Sequence, residues 1–81
     1  MNFNDKLKDA FIIGLALPAS EDVAGAEYGR TKGWDSVAHM ALVAEIEAAF
    51  DIMLDTEEVI SMSSFKRAQE IVSKHAIDAV A

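Results

Sequence analysis

The chain has 81 residues, a net charge of −7 and no cysteine. That length supports one small domain around one modest core, taken here as residues 1–81. Without cysteine there can be no disulfide framework, no thiolate nucleophile and no thiolate-bound metal.

The charge is unevenly placed. From Gly33 through Phe65 there is no Lys or Arg, and the same stretch holds Asp35, Glu45, Glu47, Asp51, Asp55, Glu57 and Glu58. The remaining acids and bases balance, so the whole net charge comes from this middle segment. A surface of one negative sign repels nucleic acid and steers basic partners inward. The N-terminal stretch is amphipathic and charged early, without the apolar run of a signal peptide or a spanning helix. The expectation is a cytoplasmic chain with no membrane insertion.

In chain order, the first helix is predicted from about Asn4 to Leu17. Phe3, Leu7, Ala10, Phe11, Gly14 and Leu15 recur at helical spacing, Asp5, Lys6, Lys8 and Asp9 fill the polar face, and Pro18 is the stop. Ala19 to Gly33 reads as a long connection with three glycines, pinned to the core by Val23, Tyr28 and Trp34. The second helix runs from Asp35 or Ser36 to Phe50. A short third helix covers Thr56 to Ser61, with Asp55 as N-cap and Glu58 in the capping-box position. The fourth runs from about Ser64 to His75, with Phe65, Ala68, Ile71 and Val72 inward, and the tail "AIDAVA" is expected to fray. No segment reads as a strand.

The second helix, "SVAHMALVAEIEAAF", has more apolar residues than one core stripe needs. Leu42, Ile46, Ala49 and Phe50 form the stripe, while Val37, Met40 and Ala44 fall on another face. Alanine serves helix propensity, but Val37 and Met40 do not; this face is either a docking surface, which Met suits, or extra core burial.

The start of this helix carries the candidate site. Asp35 and Ser36 are both good N-caps, and one is enough. A phosphate esterified to Ser36 would sit at the positive end of the helix. His39 and His75 are the only histidines, and no triad partner is evident, so Ser36 reads as a substrate for modification and not as a nucleophile. The two histidines lie far apart in sequence, and Asp51 and Asp55 straddle a helix end, so no metal site is expected.

Asp35-Ser36-Val37, the ending "FDIML" from Phe50 to Leu54, and "DTEEVISMSSFKRAQEIV" from Asp55 to Val72 together resemble the acyl carrier protein family. The resemblance covers about Phe3 to His75. It implies an all-α, acyl-carrier-protein-like four-helix bundle with a long first loop and a short third helix. It also implies a carrier, not an enzyme. A phosphopantetheinyl transferase recognising Asp35 would attach 4′-phosphopantetheine from coenzyme A to Ser36, and the arm would hold acyl groups as thioesters.

The same resemblance implies a partner face centred on Val37, Met40 and Ala44 with the acids Glu45, Glu47, Asp51 and Glu57. It implies an acyl pocket lined by Leu42, Ile46, Leu54, Val59 and Met62. Partners would be acyl ligases, acyltransferases or synthases, meeting a monomer. Trp34 and Val37 stand where family members of fatty-acid synthesis carry a small residue and Leu, and the helix after the motif is diluted with alanine. These departures point to a specialised pathway. The alternatives are a carrier of aminoacyl or other non-fatty cargo, or an arm-free helical interaction module.

Overall fold

The computed structural model describes residues 3–18 and 22–80, with side chains described through His75. It is an all-helical bundle of four α-helices: α1 (Phe3–Gly14), α2 (Ser36–Phe50), α3 (Thr56–Ser61) and α4 (Phe65–Val80). No strand occurs among the described residues. Of the predicted inward positions of α1, Leu7, Ala10, Phe11 and Leu15 are buried and Phe3 and Gly14 partly so; Phe65, Ala68, Ile71 and Val72 of α4 are all buried. They close on Trp34, Leu42, Ile46 and Met62 to form one core. Phe11 sits at its centre, edge-on to Trp34 at 5.3 Å and to Phe65 at 5.0 Å, the geometry that aromatic quadrupoles favour.

α1 ends earlier than Pro18 requires. Ala16 takes a left-handed conformation (φ 55°), which lets the Leu17 N–H donate to the Ile12 carbonyl at 2.9 Å and the Ala16 N–H to the Ile13 carbonyl at 3.3 Å. This paired closure terminates a helix by itself, so Pro18 follows an end already made. Gly14, in the last turn of α1, lies against the backbone of Leu42, so α1 and α2 meet without a side chain between them.

The long connection is more ordered than its glycine content suggests; Ala19–Glu21 lie outside the described residues. A 3₁₀ turn at Val23–Gly25 puts Val23 in the core, and Ala26 is buried beside it. The chain then clasps the junction before α4. Glu27 bridges to Ser64, the Tyr28 N–H donates to the Ser63 carbonyl at 2.9 Å, and the Phe65 N–H donates to the Ala26 carbonyl at 3.1 Å. Residues 27–34 brace themselves: the Glu27 N–H donates to Thr31 Oγ1, and Gly29 in a left-handed conformation (φ 79°) donates to the Trp34 carbonyl. Of the three expected anchors, Val23 and Trp34 are buried. Tyr28 is 44 % exposed and meets Trp34 and His39 in T-shaped ring contacts.

α3 starts with the full capping box: the Glu58 N–H donates to Asp55 Oδ1 at 2.8 Å, and the Asp55 N–H donates to Glu58 Oε1 at 3.0 Å. The fourth helix does not stop near His75 but continues to Val80. His75 Nε2 lies 2.8 Å from both Glu58 oxygens; a carboxylate only accepts, so Nε2 carries the proton and ties α4 to α3.

The Asp55 N–H, assisted by His75 and Lys74 and opposed by partial burial, holds the Glu58 carboxyl below its ordinary value of 4.5. A carboxylate depressed on folding stabilises the fold fully above 4.5, and that contribution is lost as pH falls through the lower folded value. The melting temperature of Glu58→Gln is therefore expected to lie below that of the parent at neutral pH, and the gap to close on acidification below 4.5. A gap independent of pH would mean that the charge contributes nothing.

Candidate functional site

The site forms where the long loop delivers the chain to α2. Asp35 is the N-cap: its backbone is extended, and its Oδ1 accepts the Ala38 N–H at 2.8 Å. Asp35 thus takes the role that either residue could have filled. Ser36 is left as the first helical residue, exposed at the positive end of a helix of 15 residues.

Behind Ser36 lies an aromatic and imidazole cluster that holds this end of α2. Trp34 is buried, and its indole Nε1–H donates to His39 Nδ1 at 2.9 Å. His39 is 9 % exposed, and its Nε2 lies 2.7 Å from the Val59 carbonyl oxygen of α3. One ring nitrogen accepts and the other must donate, which fixes the neutral tautomer with the proton on Nε2. The Trp34 and His39 rings stack at 6.0 Å, and Tyr28 meets both edge-on, at 6.2 and 5.6 Å. The cluster joins the loop, α2 and α3 at one point. With both nitrogens engaged, His39 has none free to take a proton from Ser36.

In front of the cluster a groove of about 370 Å³ opens between α2 and α3, lined by Tyr28, Ser36, His39, Met40, Ile60 and Met62 among others. That size is at the small end for ligand sites. Of the five residues implied for an acyl pocket, Val59 and Met62 line this groove. Leu42 and Ile46 do not; they are fully buried in the bundle core, and Leu54 packs on the core further along. By helical spacing Leu42 and Ile46 follow His39 on one side of α2, three and seven residues on, and all three are buried there.

The second apolar face of α2 is exposed. Val37 is 80 % and Met40 59 % accessible, Ala44 is exposed, and Ile60 of α3 adds to the same side of the groove. Among the acids, Asp51 and Glu57 are exposed and Glu45 is partly so. Glu47 differs from the rest. Its Oε2 accepts the Leu54 N–H at 2.9 Å, which ties the α2–α3 connection back to α2. Its carboxylate has an internal task that its place in an acidic run does not reveal. Asp51 ends α2 in a left-handed conformation (φ 54°), which a short polar side chain tolerates.

Reasoning from sequence missed Tyr28, Ile60 and Ser63, which line the groove with Ser36. His39 had a signal: a polar side chain three residues beyond Ser36, on an otherwise apolar helix. Among the described residues no group of three or more His, Asp or Glu side chains is placed to hold a metal ion, and no helix is long and apolar enough to cross a membrane. Compared with known proteins, the chain matches no family model, no curated protein and no solved structure.

Proposed function

We propose that this chain is a specialised acyl carrier. Ser36 accepts a 4′-phosphopantetheine arm from coenzyme A, and partner enzymes load and unload acyl groups. The observation that carries the reading is the division of labour at the start of α2. Asp35 alone caps the helix, which leaves the Ser36 hydroxyl exposed at the first helical position. The arm fits these residues: its phosphate would lie at the positive helix end, and the acyl group it bears has the apolar groove beside Ser36 to follow. When attached, the arm supplies the thiol that a chain without cysteine does not have.

The attachment is performed on the chain by a transferase. Ser36 Oγ forms a bond to the phosphorus that bears the pantetheine, the pyrophosphate P–O bond breaks, 3′,5′-ADP leaves, and the hydroxyl proton passes to a base of the transferase. Asp35 contributes by holding the helix start in shape for recognition. Val37, Met40 and Ala44 form the apolar centre of a docking face, rimmed by Glu45, Asp51 and Glu57, for basic patches on ligases, acyltransferases or synthases. In this reading the chain carries and its partners catalyse; His39 is committed on both nitrogens.

Incubation with coenzyme A and a broad-specificity phosphopantetheinyl transferase is expected to raise the intact mass by one arm. Ser36→Ala is expected to abolish the shift without changing the helical circular dichroism signal. An unchanged parent mass, or a shift that persists in Ser36→Ala, rejects the carrier reading and leaves the arm-free interaction module.

A further inference from the structure

Two helices that flank an attachment point can hold its cargo in two ways: on the surface between them, or inside the bundle. Along α2 the side chains on the Ser36 side are met in the order Ser36, His39 and Met40, then Val43. A chain leaving Ser36 toward the interior meets His39 within one turn. There the His39–Val59 hydrogen bond of 2.7 Å spans α2 to α3. Behind it stands Trp34, 2 % exposed, bonded to the other ring nitrogen and stacked on the ring at 20°. Opening this point would leave the Val59 carbonyl, the His39 nitrogens and the Trp34 N–H without partners, which an apolar chain cannot replace. Met62, with no exposed surface, closes the floor of the groove.

We propose that His39 is a specificity-determining latch: its hydrogen bond to the Val59 carbonyl bars the path between α2 and α3, so that this carrier takes short acyl groups that stay in the surface groove. The inference rests on the carrier reading and narrows it. His39 acts by position, holding α3 on α2, and touches the cargo only as one wall of the groove. A long chain finds Leu42 and Ile46 already fully buried in the closed core. It would project into solvent past Met40 and Ile60 and weaken the solubility of the loaded carrier.

The test attaches butanoyl, octanoyl and dodecanoyl arms to Ser36 from the corresponding acyl-coenzyme A, with intact mass to establish loading. In the parent protein the melting temperature is expected to be the same for all three chains, and the terminal methyl protons to show no nuclear Overhauser contact with Leu42 or Ile46. In His39→Ala the melting temperature is expected to rise with chain length, as the longer chains enter the opened path. Contact between the dodecanoyl methyl and Leu42 or Ile46 in the parent overturns the latch. So does a length-dependent rise in the parent equal to that of the variant. Should His39→Ala not fold, the parent contacts decide alone. A protein that does not load fails the carrier reading, and the latch with it. A protein that loads but buries its cargo fails the latch only.

Discussion

Replacing Trp34 with alanine is expected to destabilise the protein by about 3–5 kcal/mol, the range for deleting a large buried aromatic side chain. The side chain is 2 % exposed, packs edge-on against Phe11, and donates its indole N–H to His39 Nδ1. The loss is large against the roughly 5–15 kcal/mol that holds most domains folded. Trp34→Phe separates the two contributions. It keeps most of the ring surface but removes the N–H, leaving a buried acceptor unpaired at a cost of about 1–3 kcal/mol. Urea unfolding followed by circular dichroism measures both, and equal midpoints for the two variants would show that the hydrogen bond, and not the ring volume, carries the effect.

Gly14→Ala is expected to destabilise by about 1–3 kcal/mol, although alanine is the better helix former. A Cβ at position 14 would lie 2.6 Å from the Leu42 Cα and 3.1 Å from its nitrogen. Both are backbone atoms, so no flexible side chain can yield, and α1 and α2 must separate. Propensity by itself favours alanine by roughly 0.5–1 kcal/mol, so the sign of the change distinguishes the two effects. A melting temperature that falls supports the tight crossing; one that rises means the helices move apart freely.

Much of this architecture could be read from residues whose effect is local. Asp55 and Glu58 announce the start of α3 because a capping box needs only four consecutive residues. The inward faces of α1 and α4 follow from helical spacing. The site was legible in part. Asp35-Ser36 marks the start of α2, and the exposed Val37 and Met40 answer to their place off the core stripe. What could not be read depends on contacts between distant segments. His39 stands at helical spacing from Leu42 and Ile46, which marks it as inward, but its partner could not be read: it meets Val59 twenty residues away. Glu47 looks like any other acid until Leu54 folds back onto it. Leu42 and Ile46, which the resemblance implies for an acyl pocket, are buried in the core and do not line the surface groove, a depth that their spacing does not reveal. α1 ends at Gly14 and is closed by a left-handed Ala16, a conformation that composition does not favour, whereas the sequence points to an end at about Leu17 before Pro18.

The clasp between Ala26–Tyr28 and Ser63–Phe65 bears on the order of events in folding. The chain leaves that point, builds α2 and α3, and returns to it. Each helix inside the excursion has its own cap and forms from neighbours in sequence, whereas the clasp must close a long chain loop before it gains its two backbone bonds. Helix formation is therefore expected to come early and closure of the clasp late. In the native protein the reverse step is a sub-global opening, in which the connection lifts away while α2 remains wound. Ser36, seated on α2 and not on the connection, would keep its helical setting through such an event.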